Sequence, residues 1–185
     1  QVQLSHTRPV ASASFDEPNL VSAAGLVPLM GLARRAGLRE LGDRHLSVPT
    51  DKGANAGLKL SSLVAGMAAG ADSIDDMALL RHGGMGKVFA SPYAPSTLGS
   101  FLRAFTFGHV RQADAIASRF LVNLSSQSGL LGGAEDRGPV LVDIDDTIIE
   151  VHGYQKQGAS YGYSGVRGLN ALLATVSTET VAPVL

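Results

Sequence analysis

The stretch Pro139-Val140-Leu141-Val142-Asp143-Ile144-Asp145-Asp146-Thr147-Ile148-Ile149 limits the possible folds of this chain more than any other. Valine, leucine and isoleucine crowd behind a Gly138-Pro139 opening. So apolar a run suits a β-strand covered on both faces. The carboxylates of Asp143, Asp145 and Asp146 conflict with that burial. A buried acid without a partner is costly, and it escapes by protonation, by a charged partner or by a divalent cation. Side chains alternate along a strand, so Asp143 and Asp145 share one face about 6 to 7 Å apart, and Asp146 points to the other. A strand ending in paired acids is a candidate metal site. The alternative is a polar strand end, with Asp146 starting a turn and Thr147 capping it.

With 185 residues, 45% hydrophobic and 17% charged, the chain can bury one good core, or a small helical domain and part of a second. The balance of 15 Lys and Arg against 16 Asp and Glu gives a net charge of -1. That excludes an overall basic field and leaves open a local basic patch. The absence of cysteine excludes disulfide frameworks and Cys-based zinc sites. No basic-then-apolar leader is visible, and no apolar run approaches the roughly 20 residues of a membrane span. A cytoplasmic protein with no membrane partner is expected.

Up to residue 124 the pattern is helical. Residues 10–15 offer at most a short edge strand. A helix is expected from Asn19 to Gly37, kinked or split at Pro28, and a second over residues 38–46. A third over residues 54–69 carries Leu58, Leu60, Leu63, Val64 and Met67 on its apolar side and Lys59 on the other. Its glycines and alanines permit close approach by another helix. Ser73-x-x-Asp76 has the spacing of a capping box. Ser96 or Thr97 is expected to cap a helix containing Leu98, Phe101, Leu102 and Phe105, with Arg103 outside. Residues 109–124 continue helically, with Val110, Ala113, Ile116, Ala117, Phe120 and Leu121 inward and Arg111 and Arg119 outward.

Residues 125–138 are rich in Ser and Gly and read as a linker, dividing the chain into residues 1–124, 125–138 and 139–185. After the acid-bearing strand, residues 171–177 form a second one. Between them residues 151–168 make a glycine- and tyrosine-rich arm that holds Lys156 and Arg167 and no acid. Such an arm either lays stacking surfaces and positive charge against a phosphate chain or merely covers the sheet.

Asp143-Ile-Asp-Asp-Thr-Ile148, then His152-Gly-Tyr-Gln-Lys-Gln-Gly-Ala159, then Tyr163-Ser-Gly-Val-Arg-Gly-Leu-Asn-Ala-Leu-Leu-Ala174 resemble the start of the catalytic domain in DDE-class transposases of bacterial insertion sequences. Asp75-Asp-Met-Ala-Leu-Leu-Arg-His82 and Pro95-Ser-Thr-Leu-Gly-Ser-Phe-Leu102 resemble that group's helical N-terminal region, so the resemblance spans essentially the whole chain. It implies an α+β architecture: a helical N-terminal domain followed by the first strands of an incomplete RNase H-like mixed α/β sheet. It implies that Asp145, followed by Asp146 and Thr147, is the first acid of an Asp-Asp-Glu triad. Asp143 is then an auxiliary metal ligand, and Asp146 the second choice. The implied cofactor is Mg²⁺ or Mn²⁺, expected only with the complete catalytic domain. Carboxylate-held ions there activate a water or a 3′-hydroxyl and stabilise the leaving oxygen.

The second Asp and the Glu of that triad are not found, because Glu150 and Glu179 lie too close in sequence to serve. The chain is therefore expected to be a fragment that does not catalyse alone, with an open sheet edge and an uncovered apolar face. The implied partner is double-stranded DNA at the transposon ends, with a homodimer as an option for the full-length protein. The cations to place against DNA are Arg81, Arg103, Arg111 and Arg119 in the helical region and Lys156 and Arg167 in the arm. Residues 96–105 are the candidate recognition helix.

Val140-Leu-Val-Asp-Ile-Asp-Asp-Thr147 also resembles the Asp-x-Asp-x-Thr motif of haloacid-dehalogenase-like phosphatases. That resemblance would make Asp143 the nucleophile and Asp145 the general acid/base, with Mg²⁺ between them. Its context is poorer, since the motif follows a long helical region and lacks a later Lys and acidic pair. A non-catalytic helical DNA-binding module is the third reading.

Overall fold

The computed structural model describes residues 17–129, 138–179 and 183–184. The strand expected at residues 10–15 lies outside them. The α-helices come first: α1 (Leu26–Arg35), α2 (Leu38–His45), α3 (Ala56–Ala68), α4 (Pro95–Arg103) and α5 (Phe107–Ser128). Short 3₁₀ turns at Asp51–Gly53, Asp75–Arg81 and Gly83–Lys87 connect them. The strands β1 (Leu141–Glu150), β2 (Ser160–Tyr161) and β3 (Arg167–Ser177) follow, so the class is α+β.

The first helix starts at Leu26, not at Asn19. Pro28 therefore falls in the first turn, where its missing N–H has no helical partner to lose, and it introduces no kink. Gly37 ends the segment as expected, in the left-handed region at φ 83°. That turn sends the chain back as α2.

The packing of α2 on α3 is the tightest in the helical part. A Cβ on Gly42 would lie 2.7 Å from the Gly57 Cα, and one on Gly57 would lie 2.1 Å from the Arg39 carbonyl oxygen. The backbones touch there, and only glycine fits. Asp43 Oδ1 accepts from the Gly57 backbone N–H at 2.8 Å, so α2 supplies a hydrogen-bond acceptor to the N-terminus of α3.

Lys59 corrects the expected face of α3. It is only 4% exposed and points into the core, whereas Met67 is exposed. Its Nζ donates to the Lys52 carbonyl at 2.7 Å and lies 5.5 Å from the Tyr93 ring centroid and 5.3 Å from that of Phe101. The aliphatic stem packs with the apolar residues while the head ties down the turn at Asp51–Gly53. Sequence periodicity treats any lysine as outward and misses this.

Ser73 and Asp76 form the expected reciprocal pair: Ser73 N and Oγ donate to Asp76 Oδ2 at 2.9 and 2.7 Å, and Asp76 N donates to Ser73 Oγ at 3.4 Å. They open a 3₁₀ segment. In α4 the expected Ser96 or Thr97 cap is replaced by Pro95 at the first helical position, where a fixed φ suits the helix. Leu98 and Phe101 of α4 are fully buried at the centre of the core, with Leu63, Met77 and Ile116.

Helix α5 keeps most of its expected inward face, with Ala113, Phe120 and Leu121 half-buried. Ile116 is its buried residue, while Val110 and Ala117 are exposed. Amide side chains at the margin of this face add hydrogen bonds to neighbouring segments. Gln112 Oε1 accepts from Ser47 N at 2.9 Å, Asn123 Nδ2 donates to the Ala36 carbonyl at 2.9 Å, and Gln127 Nε2 donates to the Arg35 carbonyl at 2.9 Å. The last two bonds satisfy carbonyls at the C-terminal end of α1. The helix also runs to Ser128, into the segment read as a linker, with Ser126 and Ser128 returning hydroxyl bonds to the Asn123 and Leu124 carbonyls.

The sheet is antiparallel in the order β1-β3-β2, with Val184 also bridged to Val176 of β3. Among the described residues no strand pairs with the outer edge of β1.

Gly57→Ala is expected to lower unfolding stability by about 2 kcal/mol or more, because neither backbone can retreat without opening the α2–α3 contact. Urea unfolding followed by circular dichroism checks it. The Ser73 bonds hold the Asp76 carboxyl below its ordinary value of 3.8. A depressed acid contributes stability above its unfolded pKa and loses it as pH falls through the folded one. The Asp76 contribution is thus complete at neutral pH and lost below the ordinary value. Ser73→Ala is expected to flatten the acid limb of a Tm-against-pH curve, and an unchanged limb would count against this pairing.

Candidate functional site

β1 is not the buried central strand that its sequence suggests. Every residue from Leu141 to Glu150 is exposed, Ile144 at 62%, because no described element packs over the faces of β1, which also lies at the sheet's edge. Nor does the strand stop at the acids: it continues through Glu150. The register sets Asp143 opposite Thr175, Asp145 opposite Leu173 and Asp146 opposite Leu172. Alternation along this unbroken ladder keeps Asp143 and Asp145 on one face and Asp146 on the other, as expected. Asp145 Oδ1 accepts from the neighbouring Asp146 N–H at 2.9 Å. The carboxylates stay in water, so the burial conflict read from the sequence does not arise.

Among the described residues no lysine or arginine forms an ion pair with these acids, and no three His, Asp or Glu side chains converge into a metal cluster. Asp143 and Asp145 offer hard oxygen donors of the type Mg²⁺ prefers. Without a third acid the described residues do not make a complete site for the ion.

The cations separate into two groups. Arg81, at the end of its 3₁₀ turn, is exposed. Arg111 is paired with Asp114 at 3.0 Å, and Arg119 Nη1 donates to the Ala115 carbonyl at 2.8 Å, both on the outer side of α5. These three do not join a common site. Residues 96–105, the candidate recognition helix, largely overlap α4, which is first a core helix and exposes Ser96, Leu102 and Arg103.

The structure does bring Arg103 and Lys156 together. Both line a cleft of 1610 Å³ between the α4–α5 corner and the arm that links β1 to β3. Phe105, Phe107 and Val110 form its helical wall, and His152, Tyr154 and Tyr163 lie on the arm. Phe107 is 67% exposed, Tyr154 88% and Tyr163 96%. Among the described residues no Asp or Glu lines this cleft. Arg167 sits beside it, its guanidinium 5.4 Å from the Tyr154 ring centroid and Nη1 donating to the Gly153 carbonyl.

The arm is pinned to the helical part where Gln157 Oε1 accepts from the Phe107 backbone N–H at 3.1 Å, at the first turn of α5. His109 steadies that turn. Its Nδ1 accepts from the Thr106 backbone N–H at 2.9 Å, which leaves Nε2 to carry the proton and donate to the Ser47 carbonyl at 3.0 Å. Sequence reading missed Phe107, Gln157 and His152 as cleft residues, since nothing local to them signals a contact formed some 50 residues away along the chain.

Comparison of the chain with protein-family models, with curated proteins and with solved structures gives no match. No helix among the described residues is long and apolar enough to cross a membrane.

Because Asp143 and Asp145 are exposed and free of ion pairs among the described residues, Asp143→Asn and Asp145→Asn are each expected to change unfolding stability by less than about 0.5 kcal/mol. Chemical denaturation of the two variants measures this. A loss several times larger would assign these acids a structural role.

Proposed function

We propose that this chain belongs to a DDE-class transposase, acting in the cytoplasm on the ends of an insertion sequence. The observation that supports it best is the pair Asp143 and Asp145, displayed on one face of an exposed strand where, among the described residues, no Lys or Arg pairs with them and the one hydrogen bond Asp145 accepts is from its neighbour Asp146. Acids that the fold does not need are candidates for chemistry. In this reading Asp145 is the first acid of the catalytic set and Asp143 assists it. The free outer edge of β1 is where a further strand adds to make the mixed, RNase H-like sheet. Mg²⁺ or Mn²⁺, when held by the full set of acids, supplies the activation of the attacking oxygen and the stabilisation of the leaving one. The described residues contribute two carboxylates to that set and do not cleave DNA alone.

The helical part meets duplex DNA in this proposal. Arg81, Arg103, Arg111 and Arg119 supply phosphate contacts, which set orientation and make binding salt-dependent. The phosphatase alternative asks for a lysine beside Asp143 and Asp145, and among the described residues no lysine forms an ion pair with either. A homodimer is compatible with end pairing in the full-length protein.

A gel shift of the intact chain tests the proposal, using duplex DNA with the element's terminal inverted repeats and a scrambled duplex as competitor at stated salt. Retention of the repeat duplex against excess scrambled competitor is the expected result. Equal competition by the scrambled duplex, with a sample shown to be folded, would remove end recognition from these residues.

A further inference from the structure

We infer that the cleft between the α4–α5 corner and the β1–β3 arm holds an unpaired stretch of nucleic acid, with bases against its rings and phosphates on Arg103 and Lys156. The inference deepens the proposed function by naming what one part of the chain binds. Charge complementarity comes first: among the described residues the lining combines Arg103 and Lys156 with no carboxylate, in a chain whose overall charge is -1. A polyanion is thus the favoured occupant of a surface that the rest of the chain does not share. Its volume of 1610 Å³ exceeds the roughly 300–1,000 Å³ of small-molecule pockets, which suits a length of strand rather than one metabolite.

The rings decide between single strand and duplex. Phe107, Tyr154 and Tyr163 lie on opposite walls with most of their surface in water. Bases in a duplex are already stacked on their neighbours, whereas unpaired bases present free faces to aromatic side chains. Arg167 covers one face of Tyr154 and so orients the ring, leaving its other face for a base. Glycines at 153 and 158, with φ 87° and 81°, turn the arm in ways that L side chains rarely adopt and carry Tyr154 and Lys156 into the cleft. The Gln157–Phe107 bond closes one end of this wall.

The test is fluorescence anisotropy of the intact chain with a dye-labelled oligothymidine, run beside the terminal-repeat duplex at matched salt. The Tyr154→Ala/Tyr163→Ala double variant is expected to weaken oligothymidine binding at least about tenfold. The Tyr154→Phe/Tyr163→Phe variant, which keeps both rings, is expected to restore it. Arg103→Ala and Lys156→Ala should each shallow the salt dependence by close to one counterion. Oligothymidine binding that is absent, or unchanged in the alanine double variant with a native circular dichroism spectrum, would overturn the inference. Specific retention of the duplex in that same experiment would leave the proposed function standing. Oligothymidine bound through the rings, with no preference for the repeat duplex, would sustain the cleft and sink end recognition.

Discussion

The helical part depends on the contact between the α2 and α3 backbones at Gly42 and Gly57. With no side chain at either position the helices approach until main-chain atoms meet, and Asp43 gives the Gly57 N–H the partner that a helix start lacks. This contact fixes where α3 can run. With α3 placed, Lys59 enters the core and holds the Asp51–Gly53 turn by its carbonyl, and Leu63 meets Leu98 and Phe101 of α4. A methyl group at Gly57 would therefore disturb the position of α4 as well as its own helix.

Helix α5 is attached differently. Ile116 and Phe120 pack on the core, and at the margin of that contact Asn123 and Gln127 bond to carbonyls at the end of α1 that the helix itself cannot satisfy. Hydrogen bonds of this kind are directional, so they set the rotation of α5 about its axis more sharply than apolar packing would. The same rotation leaves Arg111 and Arg119 outside and brings Phe107 to the cleft. At that end a single amide, Gln157, links the helical part to the arm. Polar bonds at both ends of α5 thus relate the helices to the cleft.

Much of the fold was legible in the sequence where local chemistry decides it. Gly37 as a stop, the Ser73–Asp76 pair, the order of helices and the change to strands all follow from short-range signals. What was misread depends on tertiary neighbours. Lys59 is buried because a carbonyl and two rings happen to surround it, and Asn123 and Gln127 of α5 find partners because α1 ends beside them. The largest misreading was β1, whose apolar composition implies burial that only a covering layer can provide. For the candidate site, alternation correctly placed Asp143 with Asp145 and the arm's lack of acids was visible, but the pairing of the arm with Arg103 and Phe107 was not.

The exposure of β1 has its own physical logic. Val142, Ile144 and Ile148 alternate with Asp143, Asp145 and Thr147, so each face of the strand invites a different neighbour. Burying any one of those aliphatic side chains contributes about 1.5 to 3 kcal/mol, which makes their face adhesive on either side of Asp146. The edge itself is adhesive too, since its N–H and C=O groups are ready to pair. The acids oppose the wrong pairing. Two copies of β1 side by side in parallel register would stack Asp143, Asp145 and Asp146 against their equivalents, and antiparallel pairing about the strand's centre would set Asp145 against Asp146. Like charges directly opposite one another are destabilising, so the open edge discriminates against itself while it stays open to a strand that brings neutral or basic residues. The same carboxylates that stay in water along β1 thus oppose pairing of this edge with a second copy.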